Sequence, residues 1–190
     1  MTAKDIDGFL KKCYENSVKY FVSNIYFFDN GYCETDVLLV RNNGYLNDIE
    51  IKVSKSDFLA DFKKLQKHRI LETGYHRHPY DKPIKADNWY KADTDIPAER
   101  PNRFYYCCPE NLIQKHEVPK YSGLLWMSES GQLTKIKEAP LLHKDKIEVE
   151  SKLCRKFYYA YQELKQYKEE NGIANLKKII ARYERNFKTI

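Results

Sequence analysis

Asp36, Glu50 and Lys52 are the residues of this sequence whose types and spacing best suit chemistry. Glu50 and Lys52 are two residues apart in a stretch of strand character, so their side chains point to the same side. Asp36 begins the apolar part of the preceding strand, and a short turn makes the two strands antiparallel neighbours. Two carboxylates that converge at a sheet edge form a hard-oxygen site for Mg²⁺, with Mn²⁺ as a substitute, to which the Ile51 carbonyl adds a ligand. An adjacent ammonium group orients water and contacts phosphate oxygens, so this set predicts hydrolysis of a phosphodiester.

The E-x-K pattern alone is weak evidence, because it occurs twice more in the chain, at 150–152 and 163–165. Those two stretches have helical spacing, where side chains two residues apart diverge. Glu50 and Lys52 instead alternate with β-branched residues and follow an acid-bearing strand. The alternative for such a triplet is a solvent-facing charge pair on an edge strand, and the surrounding pattern favours the site.

The elements that must position these residues follow from the hydrophobic periodicity. Apolar residues at three- to five-residue steps predict a first helix over 5–22. The further predicted helices are 57–71, 148–170 and 173–188, and the predicted strands are 24–29, 32–41, 45–53, 103–108, 123–128 and 132–137. This order predicts an α/β fold around one mixed central sheet, with two C-terminal helices.

Length and composition limit the domain count and the class of protein. A chain of 190 residues with 42% hydrophobic residues suits one domain, 1–190, with a buried core. Residues 72–101 lose periodicity and predict a long loop or insertion, while 148–190 predict a helical C-terminal extension.

No apolar run reaches the roughly 18 residues of a membrane helix, and residues 1–12 lack an apolar signal segment, so we expect a cytoplasmic protein without membrane contact. Five cysteines without a CxxC motif are expected to be reduced.

The positive charge of the chain is concentrated in two blocks. The net charge is +6, and the excess lies in residues 55–91 and 151–190. Such blocks are typical of a surface that follows a phosphate backbone, and the alternative is two solvated, lysine-rich helix faces. The residues of the first block predicted to contact nucleic acid are Lys55, Lys63, Lys64, Lys67, His68 and Arg69.

An aromatic run lies in the second cationic block. Phe157, Tyr158, Tyr159 and Tyr161 have helical spacing. That spacing is more typical of a helix packed in a core than of a surface on which bases stack. We therefore expect these rings to be buried.

Four stretches within residues 34–137 resemble, in the same order, the PD-(D/E)XK nuclease superfamily. The stretches are TDVLLV, DIEIKVSKSDFLADFKK, RFYYCCPENLI and VPKYSGLLWMSESGQL. They are especially similar to the MmcB-like DNA-repair branch and to related phage and mobile-element proteins. The resemblance implies a restriction-endonuclease-like αβββαβ core. It also implies that Asp36 and Glu50 are metal ligands and that Lys52 is the catalytic lysine.

Three further acids are accessory candidates by the same resemblance. The resemblance implies that Glu15 on the first helix is an accessory acid, against the alternative of a surface glutamate. Asp57 and Asp61 match the run after the E-x-K strand, where they either orient Lys63 or Lys64 or begin a helix with favourable charge. The 72–101 segment is longer than in compact relatives, which leaves the substrate preference open.

The function predicted from residues and resemblance together is a Mg²⁺-dependent deoxyribonuclease in DNA repair or in phage or mobile-element DNA processing. RNA remains open as a substrate, and so does the oligomeric state, a dimer included. A non-catalytic nucleic-acid-binding module with the same fold is the first alternative. The others are a restriction-type or junction-resolving endonuclease and an interaction protein that binds an acidic partner.

Overall fold

A mixed sheet with helices on both faces is formed by the residues that this computed structural model describes, which are 1–28, 34–76, 96–171 and 180. The helices are α1 (Ala3–Tyr14), α2 (Lys55–Asp61), α3 (Leu65–Thr73) and α4 (Glu150–Asn171). The strands are β1 (Tyr20–Ile25), β2 (Thr35–Val40), β3 (Leu46–Ile51), β4 (Tyr75–His76), β5 (Ile96–Pro97), β6 (Arg103–Pro109), β7 (Ser122–Met127) and β8 (Leu133–Lys137). The predicted α/β class with a mixed sheet is confirmed.

The six long strands lie in the order β1-β2-β3-β6-β7-β8. The first three are antiparallel neighbours, and the turn between β2 and β3 closes with the Gly44 N–H donating to the Arg41 carbonyl at 2.8 Å. Gly44 has a φ of 84°, which favours glycine. The chain then crosses over through α2 and α3, so β6 pairs with β3 in parallel. Strand β7 is parallel to β6, and β8 is antiparallel to β7.

Strand register brings polar residues of three strands to one sheet face. Val37 pairs with Ile49, so Asp36 and Glu50 occupy the next position outward on the two strands. Glu50 pairs in turn with Tyr106 on β6. Because side chains alternate along a strand, these residues point to the face opposite Val37 and Ile49. The predicted juxtaposition of the two acids is therefore present at the carboxyl end of β3.

The two sheet faces are covered by different helices. Helix α1 packs Ile6 and Leu10 on the face that carries Val37 and Ile49. On the other face, α4 packs Leu153 against β1 and β2, while α2 and α3 cover β6 and β7. Asp36 and Glu50 therefore lie on the face that α4, α2 and α3 share.

The first predicted helix was too long. Helix α1 ends at Tyr14 and β1 begins at Tyr20, so the predicted strand 24–29 also starts later than the observed one. The neighbours Phe21 and Val22 are buried in cores on opposite sheet faces. Aromatic and β-branched side chains fit this two-sided environment better than the single buried stripe of a helix.

The predicted helix over 57–71 is two helices. Ser54 caps α2, because its Oγ accepts a hydrogen bond from the Asp57 N–H at 3.1 Å. The carbonyl of Asp61, at the end of α2, accepts from the Lys64 N–H and from His68 Nε2 at 2.9 Å each. These donors satisfy the carbonyl without the i+4 bond that would continue the helix.

The two predicted additions to the core are described only in part. Strands β4 and β5 pair at the ends of the predicted insertion, and residues 77–95 lie outside the described residues. Helix α4 confirms the prediction over 148–170, whereas the helix predicted over 173–188 lies outside the described residues. None of the helices in the described ranges is both long and apolar enough to cross a membrane.

Candidate functional site

Asp36 is held beside Glu50 by a main-chain hydrogen bond. Its Oδ2 accepts from the Ile51 N–H at 2.7 Å, so the main chain of Ile51 lies against this carboxylate. Burial raises the pKa of Asp36 to about 6 and the charge of Glu50 adds to this rise, which the hydrogen bond from Ile51 and the charge of Lys52 oppose. The pair thus concentrates negative charge at the end of β2 and β3.

Glu50 and Lys52 form a buried ion pair. The Lys52 Nζ lies 2.8 Å from Glu50 Oε1, and the two residues are only 4% and 3% exposed. Strand β3 lies between β2 and β6, inside the sheet. A solvent-facing charge pair on an edge strand is therefore wrong for this triplet.

Lys67 is a buried member of the same cluster, which corrects its prediction as a nucleic-acid contact. It is 3% exposed, and its Nζ lies 2.8 Å from Glu50 Oε2 and 3.1 Å from Asp61 Oδ2. Burial lowers the pKa of Lys67, but the charges of Glu50 and Asp61 outweigh it and raise the pKa above its usual value. Lys67 is therefore charged inside the protein, with its ammonium group held by Glu50 and Asp61.

Asp61 organises the lysines of the cluster. It is 1% exposed and accepts a hydrogen bond from the Tyr106 hydroxyl at 2.9 Å. Its Oδ1 lies 3.0 Å from Lys64 Nζ and 3.4 Å from Lys52 Nζ. Burial raises the pKa of Asp61, but the hydrogen bond from His68 and the charges of Lys67 and Lys52 hold it well below its usual range. Of the two lysines that Asp61 was predicted to orient, the structure places Lys64 against it.

The cluster reaches solvent along one side, through Lys64 and Asp57. The Lys64 side chain is 45% exposed, although its Nζ also lies 3.3 Å from Glu50 Oε1. The Asp57 side chain is 43% exposed, and its Oδ1 lies 3.7 Å from Lys52 Nζ. These two residues of α2 and of the turn after it mark the side from which a ligand can approach.

Asp48 is a carboxylate of this face that the sequence analysis missed. It is 3% exposed, and its Oδ1 has no hydrogen-bond partner among the described residues. Burial raises its pKa well above the usual value, and the charge of Lys67 opposes the rise. The signal in the sequence was its position two residues before Glu50, which places both side chains on one face.

The remaining predicted nucleic-acid contacts have mixed positions. Lys63 is exposed, and Arg69 is half-buried on α3. Lys55 forms an ion pair with Glu117, and His68 stacks on Phe62 with ring centroids 4.9 Å apart. Of these predicted contacts, only the lysines in the turn between α2 and α3 are exposed enough to contact a phosphate.

Glu15 is not brought to the cluster. It is exposed at the carboxyl end of α1. Helix α1 packs on the sheet face opposite Asp36 and Glu50. The alternative of a surface glutamate fits this position.

Asp36 and Glu50, with the adjacent Ile51 main chain, are the groups of the cluster that could hold a divalent cation. No group of three or more acidic, histidine or cysteine side chains that could hold a metal ion occurs within the described ranges. Mg²⁺ commonly takes one or two carboxylates and fills its shell with water and substrate phosphate, which Asp36, Glu50 and the adjacent Ile51 main chain match. The cluster joins five carboxylates (Asp36, Asp48, Glu50, Asp57 and Asp61) to three ammonium groups (Lys52, Lys64 and Lys67).

A cavity of about 440 Å³ lies away from this cluster. Its walls include Leu39, Ile49 and Tyr105, which belong to the face covered by α1. Its rim carries Arg41 and Arg103. The cavity has none of the cluster residues in its walls, so the case for chemistry depends on the cluster.

No family model and no curated protein matches this chain. Among solved structures, it is similar to the SPO1766 protein of unknown function from Silicibacter pomeroyi, at 16% sequence identity. The likeness covers 80% of each chain with a TM-score of 0.44.

Proposed function

We propose that this chain is a metal-dependent nuclease that hydrolyses DNA phosphodiester bonds, with the restriction-endonuclease-like core of the PD-(D/E)XK superfamily. The observation that carries the proposal is the buried Glu50–Lys52 pair beside Asp36 at the end of two paired strands. Burying charged groups costs several kcal/mol per ion in order-of-magnitude terms. A catalytic role explains why a chain keeps such groups together at the end of two paired strands.

The chemistry divides between the acids and Lys52. A divalent cation bound by Asp36 and Glu50, with the Ile51 carbonyl as a further ligand, would supply Lewis-acid stabilisation of the phosphate and activate water for attack. Lys52 is fixed by Glu50 and Asp61, so its ammonium group is preorganised to orient the attacking water and to contact a phosphate oxygen. Tyr106 donates to Asp61 and so helps to keep this lysine in place.

The exposed charges near the cluster favour a polyanionic substrate. Lys63 and Lys64 are both exposed in the turn between α2 and α3, on the open side of the cluster. The resemblance favours DNA over RNA, a role in DNA repair or in phage and mobile-element DNA processing, and products with 5′-phosphate ends. RNA cleavage is therefore the comparison that any assay must include.

The test is cleavage of labelled single-stranded, duplex and branched DNA, and of RNA, with Mg²⁺, Mn²⁺ or EDTA. Lys52→Met removes the ammonium group and keeps most of the apolar stem. The matched control is Lys4→Met on α1, on the other sheet face. We expect DNA cleavage that EDTA abolishes, that Lys52→Met reduces by a factor on the order of 100 or more, and that Lys4→Met leaves unchanged.

Other results would favour other functions. Salt-dependent DNA binding without cleavage by the wild-type protein would favour the non-catalytic binding module. Cleavage confined to duplex or branched DNA by a stable dimer would favour a restriction-type or junction-resolving endonuclease. No DNA affinity at low salt would overturn the proposal and favour an acidic protein partner.

A further inference from the structure

Helix α4 presents tyrosines to solvent, which corrects the expectation that its aromatic run is buried. Its packed side carries Leu153 and Ala160, which are 8% and 9% exposed. Tyr158, Tyr159 and Tyr161 are instead 57%, 65% and 54% exposed. Three large exposed rings within four residues of one helix form a patch of a kind that marks a binding surface.

The charge around these tyrosines is positive. Residues 150–165 contain the cations Lys152, Arg155, Lys156 and Lys165 and the acids Glu150 and Glu163, a net charge of +2. Arg155 is exposed and lies three and four residues before Tyr158 and Tyr159, so it shares their part of the helix surface. Aromatic rings on which bases stack, combined with cations for the backbone, are the elements of single-strand binding. A duplex hides its base faces, so it cannot use the rings in this way.

Helix α4 passes the end of the sheet at which Asp36 lies. Leu153 packs on the sheet face that carries Asp36. One turn further on, Lys156 Nζ donates to the Asn24 carbonyl at 3.0 Å. Asn24 lies between the Ser23–Val37 and Ile25–Thr35 pairs and is therefore level with Asp36. Tyr158 and Tyr159 follow two and three residues after Lys156, on the exposed side of the helix.

We propose that Arg155, Tyr158, Tyr159 and Tyr161 form a stacking surface for the unpaired bases of single-stranded DNA and lead the strand toward Asp36 and Glu50. This inference rests on the proposed function and narrows its substrate to DNA with a single-stranded segment. The net charge of +2 over residues 150–165 favours a nucleic acid as the occupant of the surface. A second copy of the chain, bound through the same rings, is the competing occupant.

The test is fluorescence anisotropy with the full-length protein and a labelled oligo(dT). Its length is about 16 nucleotides, the longest stretch that one small single-strand-binding domain typically covers. EDTA is present, so binding is measured without cleavage. One variant combines Tyr158→Leu, Tyr159→Leu and Tyr161→Leu, which removes the aromatic faces. The matched control combines Tyr158→Phe, Tyr159→Phe and Tyr161→Phe, which keeps the faces and removes the hydroxyls. Circular dichroism checks that both variants fold.

We expect the leucine variant to bind oligo(dT) at least about ten-fold more weakly, since the bases lose the rings on which they stack. The phenylalanine variant should bind as the wild type does, and duplex affinity should be the same in all three proteins. Unchanged oligo(dT) binding by the leucine variant would overturn the proposal. Equal losses in both variants would also do so, because the hydroxyls would then be responsible. A further result would assign the surface to a second copy of the chain. In sedimentation without DNA, the wild type would self-associate and the leucine variant would not, while both would bind oligo(dT) with the same affinity.

The outcomes separate this inference from the proposed function. Tyrosine-dependent binding in a protein that cuts no DNA would support the surface and overturn the nuclease. Metal-dependent cleavage with tyrosine-independent binding would overturn the surface alone.

Discussion

The Lys67 ammonium group lies 2.8 Å from Glu50 Oε2, while Lys52 lies at the same distance from Glu50 Oε1. Each carboxylate oxygen of Glu50 thus contacts a lysine that is almost fully buried. Lys52 directly follows the strand that carries Glu50, and Lys67 comes from α3. The ion pairs therefore fix the orientation of a sheet carboxylate from two directions and tie α3 to the sheet.

Lys67→Met should destabilise the protein strongly. The change removes a buried cation that contacts both Glu50 and Asp61, and breaking a buried ion pair typically costs about 3–5 kcal/mol. Lys64→Met is the matched control, because Lys64 contacts the same two acids with a side chain that is 45% exposed. It should cost less than about 1 kcal/mol. Urea unfolding followed by circular dichroism gives both values, and equal costs would show that the burial of Lys67 has no energetic role.

Asp61→Asn should lower stability more at neutral pH than in acid. The folded-state pKa of Asp61 is depressed, so its ionised form stabilises the protein above the unfolded value of about 3.9 and loses this effect as pH falls. The difference in unfolding free energy between wild type and variant should therefore shrink between pH 6 and pH 3. Tyr106→Phe removes one donor but keeps the carboxylate, so its difference from the wild type should change less with pH than that of Asp61→Asn. A difference that stays constant with pH would contradict an ionised Asp61 in the folded protein.

The meeting of Asp36 and Glu50 could be predicted from sequence, whereas the place of Lys67 could not. Strand alternation and a short turn determine which residues of β2 and β3 face each other. Lys67 follows Asp61 by six residues, and in an unbroken helix that step turns the chain by about 240° beyond a full turn. The two side chains would then point apart. The break after Asp61 depends on a long-range packing arrangement, which periodicity does not reveal.

Burial of polar groups was the other feature hidden from sequence. Asp48 and Tyr106 point to the cluster face, but a strand's own pattern does not tell a buried polar face from a solvated one. The distinction depends on α2 and α3 covering that face. The exposed side of α4 was missed for a related reason, since its tyrosines have the spacing of a packed helix and yet flank the packed stripe.

The cysteines should divide into two classes of thiol reactivity. Cys13 and Cys154 are exposed, whereas Cys107 and Cys108 are fully buried on opposite faces of β6. Burial raises the pKa of the Cys108 thiol to about 11 and raises that of Cys107 further, so both stay protonated near pH 8.

A disulfide reagent added at pH 8 should therefore titrate two thiols rapidly in the folded protein and four after unfolding. The experiment uses a Cys33→Ser background, because residue 33 lies outside the described residues. Rapid reaction of a third thiol in the folded state would contradict the packing of β6.

Mg²⁺ should stabilise the protein through Asp36. A ligand at ten times its dissociation constant contributes about 1.4 kcal/mol, which raises the melting temperature of a domain of this size by a few degrees, in round figures about 3–6 °C. Asp36→Asn should abolish the shift without harming the metal-free protein. Its side-chain oxygen still accepts the hydrogen bond from Ile51, and the repulsion between Asp36 and Glu50 is removed. Asp57→Asn is the matched control, because Asp57 adjoins Lys52 at the rim and is not a proposed ligand. A shift in melting temperature that survives in Asp36→Asn would show that the cation binds elsewhere. A shift lost equally in both variants would show that the stabilisation depends on the total charge of the cluster and not on Asp36.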